Sequence, residues 1–166
     1  GRDHCIGAHI GAGYYKGQMG FLGLRNNYGD RTGFSAQLII IYTSGKTEIV
    51  KTDETWVGTD SPVVFSEIYD GEIYDANKEI NDWCKYGLDT KRWRQVTNID
   101  FDKTSLACQY GCKTRMHESF AVKEIINTPK GETVLDFGQN LAGWLAIEVE
   151  DAKPGDVVEL ACFEML

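Results

Sequence analysis

The chain has 166 residues, 42% hydrophobic and 25% charged, with a formal net charge of -8; this balance is ordinary for a soluble globular domain. The negative charge opposes binding to nucleic acid or to anionic membrane surfaces, both of which need clustered cations. No window approaches the ~20 apolar residues needed to span a bilayer.

The first stretch, "GRDHCIGAHIGAG", has no basic flank before an apolar run. No secretory leader is expected in it, and a cytoplasmic location is the expectation, although a start partway along a longer protein would lack a leader too. "GAGYYKG", residues 11–17, matches a dinucleotide fingerprint only loosely, with its third glycine one position late and no helix pattern behind it. In "RNNYGDR", Asn26, Asn27 and Asp30 read first as turn-holding side chains and secondarily as a calcium site completed by a second loop.

From residue 34 to 43 the pattern is β. Phe34, Ala36, Leu38, Ile40 and Tyr42 share one face, and Ile39 and Ile41 on the other predict that the second half is buried on both sides. "SGK" turns the chain and "TEIVKT" returns it as a hairpin. "SGKT" is not a phosphate-binding loop, because Ile40 stands where that loop needs its first glycine. "VVFSEIY" is a further short strand with Asp70-Gly71 as its turn signal, and helical turns are expected at most near residues 75–87 and 104–111.

Lys91, Arg92 and Arg94 around Trp93 read as a solvated edge, and Trp83 and Trp93 as anchors at a sheet edge. "FAVKEII", the turn "TPKG" and "ETVLDFG" predict a second hairpin, with Asp136, Gln139 and Asn140 suited to hold the turn that follows. In "WLAIEVE" Leu145, Ile147 and Val149 are predicted to point inward, with "AKPGD" turning the chain and "VVELACF" pairing back. Many short strands, glycine-rich turns and no βαβ alternation predict an all-β fold, a jelly-roll-like antiparallel β-sandwich with the start of a second sandwich at the C-terminal end. The expected division is a first domain over 1–100, a connection over 101–118 and the second sandwich from 119 to 166.

Five cysteines form no familiar framework, and Cys108 and Cys112 are spaced unlike a zinc knuckle, so free thiols are the reading. No metal site is expected among them, and His4, His9 and His117 are scattered. The densest cluster of acids is "SEIYDGEIYDAN", residues 66–77, with Glu67, Asp70, Glu72 and Asp75 beside Tyr69 and Tyr74. Three readings stay open for it: a catalytic acid–base pair, a carbohydrate surface, and a solvated hairpin whose acids bond backbone or meet Arg25 and Arg31. On a continuous strand Asp70 and Glu72 would stand ~7 Å apart on one face. An inverting pair must flank the scissile bond with room for water, which two neighbours on one strand cannot do.

"GAGYYKGQMGF", "NNYGDR", "SEIYDGEIYDA", "DTKRWRQV", "VLDFGQNLAGW" and "PGDVVELACFEML" together resemble, in order and spacing, the N-terminal non-catalytic region of bacterial α-L-rhamnosidases. The resemblance implies a multidomain parent glycoside hydrolase in which β-sandwich domains precede an (α/α)6 barrel that cleaves terminal L-rhamnose with inversion. It implies further that this chain lacks the earliest strands, the barrel and the catalytic acids, so that it is inactive alone; a small glycosidase using Asp70, Glu72 or Asp75 is the competing reading. Implied partners are the barrel of the parent chain and L-rhamnose-containing glycans. A homodimer through exposed sheet edges is the further expectation.

Some members of that family bind L-rhamnose through this domain with calcium helping to hold the sugar. The candidate carbohydrate-binding residues are therefore Tyr14, Tyr15, Pro62, Asp70, Glu72, Tyr74 and Asp75, since rings stack on sugars and carboxylates accept from hydroxyls. One departure bears on this. The family usually reads Gly-Asn-Gly-Trp or Gly-Asp-Gly-Trp where this sequence has Gly11-Ala12-Gly13-Tyr14, which removes an oxygen ligand and shortens the ring system.

Overall fold

The structure, a computed structural model, describes residues 3–20 and 22–163. It is all-β and antiparallel, with helix confined to single turns, as the periodicity predicts. The chain divides into two compact units, Gly1–Ser105 and Leu106–Leu166.

The first unit carries α1 (Gly13–Lys16), β1 (Gln37–Ile41), β2 (Thr47–Lys51), β3 (Val57–Gly58), β4 (Val63–Glu67), β5 (Gly71–Tyr74) and β6 (Arg94–Gln95). β1 and β2 form the predicted hairpin, in register from Gln37 opposite Lys51 to Ile41 opposite Thr47. Its turn closes through bonds from Tyr42 N to the Lys46 carbonyl and from Gly45 N to the Tyr42 carbonyl, both 2.9 Å. Gly45 sits at φ +85°, a conformation in which a Cβ would crowd the backbone.

Burial of this hairpin on both faces is not what the structure holds. Ile41 is 75% exposed and Ile39 is exposed as well, because among the described residues no other helix or strand packs on this two-stranded ribbon. Among the described residues no hydrophobic side chain is fully buried.

β4 and β5 form a second hairpin whose chain reversal spans residues 68–70, with Gly71 (φ +77°) opening the returning strand opposite Glu67. A register shift lies between Val63 and Phe65. β3 and β6 are a pairing that periodicity missed, two residues each. Val96 N donates to the Trp56 carbonyl beside it, and Phe34 packs on Trp56 with ring centroids 6.0 Å apart. Arg94 in the basic cluster is paired with Asp60 at 2.5 Å, both well exposed.

Of three helical turns among the described residues, one corrects the reading. α1 forms over the "GAGYYKG" loop, where no helix was expected, closed by Lys16 N to the Ala12 carbonyl and Gly17 N to the Gly13 carbonyl. A 3-10 turn at Lys103–Ser105 begins just before the predicted 104–111 stretch, and a second at Ala76–Lys78 lies inside the other predicted stretch.

The second unit carries β7 (Glu124–Asn127) and β8 (Thr133–Asp136), the predicted hairpin, in register from Glu124 opposite Asp136 to Asn127 opposite Thr133. Asp136 holds the following turn as expected, its Oδ1 accepting from Gly138 N at 2.6 Å. Residues 144–150 and 157–163 are not strands. The turn between them does form, Asp156 N donating to the Lys153 carbonyl and Lys153 N to the Asp156 carboxylate. Leu145, Ile147 and Val149 are exposed rather than inward, and Trp144 is 66% exposed. Alternation makes a segment competent for a sheet, but a strand exists only where a partner satisfies its backbone groups.

Candidate functional site

The acidic cluster is held together by one cation. Arg25 donates from Nη1 to Glu67 and from Nη2 to Asp70, so a single guanidinium joins the end of β4 to the loop beyond it. Glu67 also accepts from Gln18 N at 3.1 Å, and its side chain is only 7% exposed. Gly17 makes this approach feasible, since a Cβ there would lie 2.3 Å from the Gly13 carbonyl and 3.2 Å from Glu67 Cγ. The hydrogen bond to Glu67, with Asp70 adding to it, raises the Arg25 pKa above its ordinary value against the opposing pull of desolvation. Arg31 forms no ion pair among the described residues.

The other acids divide between turns and a cleft. Asp75 caps the 3-10 turn, accepting from Asn77 N at 3.1 Å and from Asn77 Nδ2 at 3.0 Å. The bonds from Asn77 hold the Asp75 carboxyl below its usual range. Asp75 N donates to the Pro62 carbonyl at 2.8 Å, which extends the β4–β5 pairing by one bond. Tyr74 donates its hydroxyl to Glu79 at 2.6 Å, and that bond raises the phenol pKa.

Glu72 stands opposite Ser66 across the hairpin, and both line a cleft of about 170 Å³ with His9, Ile10, Gly11, Ser61 and Val63. Of the seven predicted carbohydrate-binding residues, only Glu72 lines this cleft. Pro62 lies between two lining residues, while Asp70 is committed to Arg25 and Asp75 to its cap. Tyr14 meets Tyr69 edge-on at 6.4 Å, and Tyr15 stacks on Tyr28 at 6.4 Å. His9, Ile10, Ser61 and Ser66 were missed, because they come together only when the N-terminal segment crosses the β4–β5 hairpin.

At the calcium candidates Asn26, Asn27 and Asp30, the structure shows turn contacts at the two asparagines. Asn26 occupies a left-handed turn position (φ 58°), and Asn27 turns its amide nitrogen to the Leu24 carbonyl at 3.2 Å. The paired carboxylates of Glu67 and Asp70 already hold a guanidinium cation, which would repel a second one. Among the described residues no three His, Cys, Asp or Glu side chains form a metal cluster. The five cysteines are free and exposed, and among the described residues no helix is long and apolar enough to cross a membrane.

Comparison with known proteins identifies relatives of the chain. A family model described as the α-L-rhamnosidase N-terminal domain matches residues 2–118, and one described as the bacterial α-L-rhamnosidase concanavalin-like domain matches 126–166. An α-L-rhamnosidase of Streptomyces avermitilis is 29% identical over 164 residues, covering 98% of this chain and 16% of that protein. One from Alteromonas sp. (strain LOR) is 31% identical, covering 99% of this chain and 18% of its own. The chain thus spans less than a fifth of the length of these relatives. The crystal structure of native α-L-rhamnosidase from Aspergillus terreus superposes with a TM-score of 0.74 at 34% identity, over 80% of this chain and 15% of that one. With matched family models over most of its length and a shared antiparallel framework, this chain belongs to the α-L-rhamnosidase family, in its N-terminal β-region.

Proposed function

We propose that this chain is the non-catalytic N-terminal portion of an enzyme that hydrolyses terminal L-rhamnose from glycosides, and that it supports that enzyme's catalytic barrel. The observation that carries this reading is the match of both β-domain models over nearly the whole chain, while the relatives run to more than five times its length. The chemistry of the acidic cluster agrees. Glu67 and Asp70 share one arginine and Asp75 caps a turn, which leaves Glu72 alone of the cluster's four acids and without a second carboxylate of the cluster to flank a sugar and a water. The purified chain should release no aryl group from an aryl α-L-rhamnoside. Turnover abolished by Asp70→Asn or Glu72→Gln would overturn the assignment in favour of a small glycosidase.

A second reading is favoured by the cleft. It combines one carboxylate, two hydroxyls and an imidazole over an apolar floor of Ile10 and Val63, a donor and acceptor set suited to a single sugar ring. A Streptomyces avermitilis α-L-rhamnosidase, 30% identical with a TM-score of 0.71 over 78% of this chain and 13% of its own, was crystallised in complex with L-rhamnose. We infer that this cleft takes L-rhamnose without calcium. Calorimetric titration should give saturable heat that survives a chelator. Heat that vanishes with chelator would restore the calcium-assisted reading, and absence of heat at millimolar sugar would leave the chain purely structural.

A further inference from the structure

One wall of the cleft is a strap. His9, Ile10 and Gly11 supply three of its seven lining residues, yet among the described residues no hydrogen bond joins residues 3–11 to the rest of the chain. Two contacts hold this segment instead. At Gly11 the backbone lies against Ser66, where a Cβ would meet the Ser66 hydroxyl at 3.6 Å. Further back, Trp83 clamps it: the indole stacks on His9 with centroids 5.2 Å apart and planes 15° from parallel. The same indole lies directly on the backbone at Gly7, where a Cβ would be 2.3 Å from Trp83 Cζ3. No residue but glycine leaves room for that approach.

Trp83 is itself on a tight turn. Asp82 is left-handed (φ 59°), Lys85 N donates to the Asp82 carbonyl at 2.7 Å, and Lys85 Nζ pairs with the Asp82 carboxylate at 2.7 Å. The indole is therefore presented from a short, locally braced loop. It does not line the cleft, and it stacks on His9, which does.

From this we infer that Trp83 is a positioning residue that pins the 7–11 strap in place as the movable wall of the carbohydrate cleft. This deepens the sugar-binding reading above and rests on it. Removing the indole frees the strap, so that a sugar must order it on binding and affinity falls accordingly. An aromatic pair of this kind corresponds to about a threefold to tenfold change in dissociation constant.

The test has two independent readouts. In the NMR spectrum of the whole chain, the Gly7 Hα that takes the place of a side chain points at the rim of the indole, so the ring current should move its signal away from the random-coil position. The shift should disappear in Trp83→Ala. A Gly7 Hα at its random-coil position in the unsubstituted chain would overturn the strap outright. In calorimetry with L-rhamnose, Trp83→Ala should bind about threefold to tenfold more weakly, with Trp83→Phe restoring most of the loss. Gly7→Ala, which displaces the indole from the other side, should reproduce the loss while the β-hairpin circular dichroism is unchanged. Equal affinity of Trp83→Ala and the unsubstituted chain would overturn the positioning role. If the unsubstituted chain takes no sugar, the cleft reading and the positioning role both fail, while the pinning of the segment is still decided by the Gly7 signal.

Discussion

Arg25 reaches across 42 residues of sequence to Glu67 and, with its other terminal nitrogen, to Asp70. This places the loop after α1 against the end of β4 and shows what the densest acidic stretch of the chain does. Its carboxylates are structural anchors at Glu67 and Asp70, a cap at Asp75, and a cleft lining at Glu72.

If the guanidinium braces two segments, Arg25→Leu should lower the thermal midpoint of the first unit. Arg25→Lys should recover only part of the loss, because an ammonium keeps the charge without the two-pronged geometry. The Arg25→Leu difference should narrow in ~1 M salt, where the screening length falls to ~3 Å. Equal melting of all three proteins at low salt would show that the pairing contributes nothing.

Glycine is required at the two hairpin turns of the first unit, β1–β2 and β4–β5. Gly45 and Gly71 have φ of +85° and +77°, so Gly45→Ala or Gly71→Ala should each cost about 1–2 kcal/mol in urea unfolding. Gly58 is in β3 with ordinary backbone angles, and the nearest atom to an added Cβ is Val96 Cγ1 at 3.8 Å. Gly58→Ala should therefore stay within about 0.5 kcal/mol of the unsubstituted chain.

The cap at Asp75 sets an acid limit. Its folded pKa is depressed by the bonds from Asn77, so the folded state binds fewer protons there than the unfolded chain. That contribution is present above the unfolded carboxyl value of about 3.9 and is lost as pH falls through the lower folded value. Asp53 and Asp102, held down chiefly by the hydroxyls of Thr55 and Thr104, act with the same sign. Asp75→Ser keeps a cap acceptor without a titrating group, and the slope of melting temperature against pH below pH ~4 should flatten in that variant. An unchanged slope would exclude the cap as a contributor.

Tyr74 sets an alkaline limit of opposite sign. Its pKa is raised by the bond to Glu79, so its contribution is present below the unfolded value of about 10 and is lost as pH rises through the folded one. Phenolate absorbance should rise at lower pH in Glu79→Gln than in the unsubstituted chain for one of the eight tyrosines.

The β1–β2 ribbon exposes Leu38, Ile39, Ile41 and Ile49, and both of its outer edges lack a sheet partner among the described residues. Such a ribbon is a template for a further strand, and sedimentation should show dimer growing with concentration. Ile39→Lys with Ile41→Lys should restore monomer. A monomer at every concentration in the unsubstituted chain would reject edge pairing.

Much of this molecule is set by local chemistry. The β1–β2 and β7–β8 hairpins were legible because alternation, a glycine or proline turn and a short loop act within a dozen residues. The cap at Asp75 and the turn at Asp136 follow from side chains that bond backbone two residues on. The family was legible too, through six motifs in order. Tertiary structure decided the rest: the pairing of β3 with β6, the use of Glu67 and Asp70 by Arg25, and the strap that Trp83 presses over the hairpin. These join residues far apart in sequence, where no local preference specifies the partner and only the path of the folded chain does. For the same reason residues 144–150 and 157–163 have strand-like sequences without being strands: alternation specifies a face, and a partner is needed to make it a sheet.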